Sequence, residues 1–273
     1  MGKIGCMLAG AMLGAVYVFP GEAVQAAWEG LCVWGHTLVP SLGPGMALCL
    51  YICTHLRGNG RLLVPAAMLC ASPGGARLMQ EKKLRGRDAA HGMAVTGVMS
   101  PMFFLGAVSG WLGSEREGAA VYLCHIAAAL LTGLCIKGKS KNEAQLQPVP
   151  FLQCVHQSIQ ALLNAGFILM FFSAAARMMA LALPFLPQDM GVYLHCLLEV
   201  TGGTEKLCRL NVKPVLPIIC FFTSFGGCSV LIQNHLFWQQ SGIRIGQLAG
   251  IRLIHGLFSF VLCFFLENIL FIG

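Results

Sequence analysis

The chain reads as an all-α polytopic membrane protein, and three observations carry that reading. Of its 273 residues, 56% are hydrophobic and 11% charged, with a mean hydropathy of +0.72, against about 25% charged residues in an ordinary soluble domain. Apolar windows of about 20 residues, the length that crosses a hydrocarbon core about 30 Å thick, recur along it. Lysine and arginine gather in the short segments between those windows, as they do in cytoplasmic loops.

Windows at 4–20, 38–56, 90–112, 118–136, 159–186 and 247–271 predict transmembrane helices, and shorter apolar pieces lie at 62–72, 190–200 and 214–233. The first window follows Lys3 and precedes Val24-Gln25-Ala26, a pattern shared with secretory leaders. In a chain that is apolar throughout, a retained helix is the expectation. Three basic loops are predicted to be cytoplasmic: Arg57 with Arg61, then Lys82, Lys83, Arg85 and Arg87, then Lys137, Lys139 and Lys141. The acidic Ser114-Glu115-Arg116-Glu117 is predicted to lie outside. The polar stretch "KGKSKNEAQLQPVP", residues 137–150, reads as a cytoplasmic linker between a first membrane half, 1–136, and a second, 151–273.

Each half holds an apolar piece interrupted by small residues, "LCASPGGARL" in the first and "FFTSFGGCSVLIQNHL" in the second. Lipid cannot satisfy the N–H and C=O groups of unwound backbone, so such a break belongs where protein or a wet cavity surrounds it. Broken segments in both halves point to a transport site between them. Basic loops on both sides of the first piece predict a re-entrant hairpin at about 62–84. A second hairpin is expected at about 213–236. There Lys206, Arg209 and Lys213 favour the same face as the basic loops, whereas an inverted second half demands the opposite one, and the residues alone leave this open.

At the first break Pro73 ends a half-helix, Gly74 and Gly75 permit a reversal, and Ser72 adds a hydroxyl. Arg77 falls in the first turn of the next half-helix, where backbone donors, the helix dipole and a guanidinium could meet one anion. A plain turn with Arg77 snorkelling to the surface is the competing reading. The second break, with Ser224, Gly226, Gly227 and Ser229, is followed by Gln233, Asn234 and His235. Polar groups at that depth mark a site or bind neighbouring helices together. Glu199, in "YLHCLLEVTGG", could hold a proton or cation, accept from a solute, or pair with Lys206. Arg252 and His255 share one helix face and could meet an anion or the lipid headgroups. His36, His91 and His125 read as packing or interfacial residues.

Thirteen cysteines show no metal or disulfide spacing and read as small hydrophobes, so no metal or cofactor is predicted. The basic loops lack the aromatics of a nucleic-acid surface. Asp88 and Asp189, the two aspartates, lie in loops and complete no catalytic triad, and no phosphate-binding loop is present. An enzyme is therefore not predicted.

The segments "VPSLGPGMALCL", "ASPGGARL", "SPMFFLGAV", "LLEVTGG", "SFGGCSVLIQ" and "IRLIHG" follow one another in an order that resembles the YlbJ-type sporulation membrane proteins. These belong to the wider group carrying the Gate, or nucleoside-recognition, domain. The likeness runs from about Val24 to Phe260. It implies two Gate-type inverted repeats, each with a broken re-entrant helical hairpin, in the cytoplasmic or outer forespore membrane of an endospore-forming bacterium. It implies movement of a small anionic metabolite, dipicolinate, into the forespore, and it adds Ser100 and Thr201 to the expected binding residues. Gly97-Val98-Met99 stands where the family carries paired asparagines, and Ser72 where it carries tyrosine. A homo-oligomer is compatible with these features. The rival readings are a non-transporting scaffold for spore-envelope assembly and a nucleoside or metal-ion permease.

Overall fold

The computed structural model describes residues 2–55, 65, 67–69, 71–72, 74–76, 84–138, 147–210 and 213–270. They form helices joined by short turns, with no strand among the described residues. Among the described residues five helices are long and apolar enough to cross a membrane, and the chain is a multi-pass membrane protein. Helix α1 spans Gly2–Val18. Helix α2 runs unbroken over Pro20–His55, beginning well before the window at 38–56 because "EAVQAAWEGLC", although less apolar, consists largely of good helix formers. Pro40 and Pro44 each remove an N–H from its ladder. The helix adjusts with a π turn at Trp34–Leu38, in which the Val39 N–H reaches back to the Trp34 carbonyl.

The first half then reverses between Ala67 and Gly75. A Cβ on Gly75 would lie 2.6 Å from the Ala67 carbonyl, whereas eight residues along a straight helix span about 12 Å. Ala71 sits in this turn with φ of 56°. Pro73 and residues 77–83 of the expected hairpin lie outside the described residues. Helix α3, Gly86–Thr96, and the helix α4 over Phe103–Leu112 divide what the sequence presented as a single span at 90–112. Residues 97–100 between them are unwound. Pro101 explains this, because its ring disfavours helical backbone at the preceding Ser100. Helix α5, Glu115–Cys135, follows, capped by Ser114 Oγ accepting from the Glu117 N–H.

In the second half the long α6, Phe151–Ala182, leads to α7, Gln188–Leu198, and α8, Val200–Cys208. These two short helices fold back on each other: a Cβ on Gly203 would lie 2.6 Å from the Cys196 Cα. With 11 and 9 residues they are about 16 and 14 Å long, half a bilayer. The hairpin expected at 213–236 is therefore displaced to 188–208.

Helices α9, Val215–Phe225, and α10, Gly227–Trp238, instead form one kinked span. The last helix, α11, Ile245–Leu270, shows why. It runs antiparallel to α9, with Arg252 beside Phe225 and Gly256 beside Phe221. Its first residue thus lies about 10 Å beyond the break. The short segment 239–244 reaches that point only if α10 continues away from α9. Gly226 and Gly227, with φ of 88° and 65°, supply a kink and not a reversal. Large side chains such as Leu163, Phe167 and Phe171 are exposed on α6, as suits a face turned to lipid.

Candidate functional site

Each hairpin tip packs on the break of its own half. In the first, the Ser72 N–H donates to the Val98 carbonyl at 2.8 Å, and Gly75 fits where a Cβ would stand 2.9 Å from the Thr96 carbonyl. In the second, a Cβ on Gly227 would lie 2.8 Å from the Cys196 carbonyl and 3.2 Å from that of Leu197. The two assemblies meet across the molecule, where Ser72 Oγ donates to Asn234 Oδ1 at 2.5 Å.

Between them lies a small cavity of about 40 Å³, room for little more than one water. Its polar wall carries Ser72, Ser100, Glu199, Thr201, Ser229 and Gln233, and Leu38, Leu42, Phe103 and Leu169 form its apolar side. Ser229 Oγ and Gln233 Nε2 are buried there without a hydrogen-bond partner. Buried polar groups are nearly always paired, so these two donors remain available to a solute. Glu199 is 1% exposed, and its two carboxylate oxygens accept from the Thr201 and Gly202 N–H groups at 2.7 and 2.6 Å. It caps α8 and is not paired with Lys206. Ser100 likewise caps the turn before α4, its Oγ accepting from the Phe103 N–H at 3.0 Å.

The opposite ends of the broken helices converge elsewhere. The fully buried Arg252 donates from Nε to the Phe225 carbonyl at 3.2 Å. Cβ atoms on Gly97 and Gly226 would stand 2.9 and 3.1 Å from its Nη1 and Nη2. Its guanidinium thus occupies the place where the C-termini of α3 and α9 meet, and each of those ends carries about half a negative charge. The breaks sort their dipoles, with negative ends on Arg252 and the first residues of α4, α8 and α10 at the cavity.

A histidine pair extends this core. The Met99 N–H donates to His125 Nε2 at 3.0 Å, which places the ring proton on Nδ1. Nδ1 in turn donates to Ser224 Oγ at 2.7 Å. His255 Nε2 donates to the His125 carbonyl at 2.9 Å and takes Arg252 Nη1 on Nδ1 at 3.4 Å. His125 therefore ties the unwound segment 97–100 to the end of α9.

Of the residues singled out in the sequence, Ser72, Ser100, Glu199, Thr201, Ser229 and Gln233 meet at the cavity. Gly75, Gly226 and Gly227 shape the turns and close contacts around it, and Gly74 is buried beside them. Ser224 and Arg252 belong to the buried core behind the breaks, away from headgroups. Pro73 and Arg77 lie outside the described residues. His125 and Asn234 carry contacts that their neighbours in sequence do not reveal. One signal for the histidines exists: His125 and His255 each lie ten residues past the start of the last span in their half, and their rings meet at 4.8 Å.

No family model, curated protein or solved structure matches the chain.

Proposed function

We propose that the chain is a permease for a small anionic metabolite, bound in the cavity between the two hairpin tips and the two breaks. The observation that carries this reading is the pair of unpartnered donors, Ser229 Oγ and Gln233 Nε2, on a wall shared by both halves. The first turns of α4 and α10 add positive helix ends, which favour negative charge. The order of long helix, hairpin, broken span and unbroken span runs through the second half and is matched by the described parts of the first. That order supports two inverted repeats of the Gate type, and dipicolinate is the solute that the family resemblance suggests. As the cavity has room for little more than one water, a solute enters it only by displacement of a hairpin tip.

Glu199 favours a second reading. Its carboxylate already occupies the N-terminus of α8, and such a group suits a hydroxyl-rich or cationic solute, as in a nucleoside or metal-ion permease. Uptake into liposomes bearing the purified protein separates the two. Movement of labelled dipicolinate, resisting competition by uridine and ferrous iron, supports the anion permease; uridine or iron movement without dipicolinate movement supports the second. No movement of any of them favours the scaffold.

A further inference from the structure

A second, far larger cavity opens at the end of the bundle remote from the linker. The linker joins the last residue of α5 to the first of α6, and Lys137 lies beside it. Trp111, at the end of α4, and Arg177, in the last turns of α6, mark the other end, and both line this cavity of about 820 Å³. That volume lies within the roughly 300–1,000 Å³ usual for small-molecule sites.

Its charge is unexpected for that end. Lysine and arginine collect on the cytoplasmic side, here the side of Arg85, Arg87 and Lys137. Yet Arg177, Lys206 and Arg209 line the opposite cavity, together with Glu29 and Glu205. Two of the three cations are engaged: Arg177 with Glu22 at 2.7 Å and Arg209 with Glu205 at 2.5 Å. Lys206 is exposed, and its Nζ lies 3.4 Å from His195 Nδ1; among the described residues no carboxylate forms an ion pair with it within 4 Å, although its charge acts on the nearby Glu199. A lysine without an ion-pair partner, in a cavity also lined by two arginines and the indoles of Trp28 and Trp111, is suited to a flat solute carrying carboxylates. Gly202 also lines this cavity, while Thr201 and Glu199 line the inner one. One turn of the α7–α8 hairpin is thus the partition between them.

We propose that this vestibule is the entry site for a small carboxylate-bearing solute, held by Lys206, and that the Glu199–Gly202 turn is the gate to the inner cavity. The gate rests on the permease reading; the binding site does not. The misplaced basic residues of the second hairpin are then explained, since they stand outside to collect anions.

Binding is read apart from flux by calorimetry on the detergent-purified full chain. The titrants are dipicolinate and its uncharged analogue pyridine-2,6-dicarboxamide. The proposal expects dipicolinate binding that weakens with added salt, falls about tenfold or more in Lys206→Glu, falls less in Lys206→Gln and is restored in Lys206→Arg. The dicarboxamide should not bind. No binding by the unaltered protein, equal binding of the dicarboxamide, or an affinity unchanged in Lys206→Glu overturns it. Lys206-dependent binding with liposomes that move no dipicolinate leaves the vestibule standing and overturns the permease. Flux that is indifferent to Lys206 overturns the vestibule alone.

Discussion

Ser229 and Gln233 are polar, buried and unpartnered, and that combination separates a binding role from a structural one. If they served the fold, truncating them would cost about 1–3 kcal/mol each. We expect the reverse for Ser229→Ala and Gln233→Leu: thermal unfolding in detergent unchanged or slightly raised, because an unsatisfied group is removed, with solute binding lost. His125 behaves oppositely. His125→Phe leaves the Met99 N–H and Ser224 without their partner and should destabilise the protein by about 2–6 kcal/mol, two unmet groups at about 1–3 kcal/mol apiece. The measurement is the same unfolding curve, and an unchanged midpoint would show that His125 ties nothing together. Sequence could suggest Ser229 and Gln233 because polar groups after a glycine pair in an apolar run are conspicuous. For His125 it offered only the matched position of His255 in the other half, because its partners come from residues 99 and 224.

At the scale of elements, the α7–α8 hairpin depends on one carboxylate. Glu199→Gln keeps the size but places an amide N–H against one of the two backbone N–H groups that Glu199 now satisfies, a loss of about 1–3 kcal/mol. Hydrogen exchange should rise within residues 188–208 and stay unchanged in α5 and α11; uniform exchange would contradict a locally anchored hairpin. Gly227→Ala combines a left-handed backbone, costing about 1–2 kcal/mol, with contact against the Cys196 carbonyl, and should unfold earlier than a Gly10→Ala control with nothing within 4 Å. The breaks at Ser72–Gly75 and Ser224–Ser229 were legible, since proline and glycine interrupt an apolar run in only a few ways, whereas the break at 97–100 was hidden inside an apolar span. Which break reverses the chain was not. "SFGG" looks like a hairpin tip, but the reversal belongs to Glu199, whose charged side chain reads as a ligand until its oxygens are seen to cap the next helix.

For the whole molecule, the membrane class follows from composition alone, while the face of each hairpin follows from counting spans. Under the permease reading α3–α4, α5 and α6 count as three crossings between the two hairpins, and the account then predicts that the hairpins enter from opposite sides, with Lys206, Arg209 and Lys213 outside. Protease or impermeant amine reagents applied to sealed, right-side-out vesicles should therefore reach Lys206 and not Lys137; labelling of Lys137 alone would reverse the orientation. The central claim is that a solute is held where both halves meet. The most direct test is uptake of labelled dipicolinate into liposomes by the Ser229→Ala, Gln233→Leu double variant, matched to the unaltered protein in insertion and unfolding temperature. The account predicts flux in the unaltered protein and background uptake in the variant, and equal flux in both would contradict it.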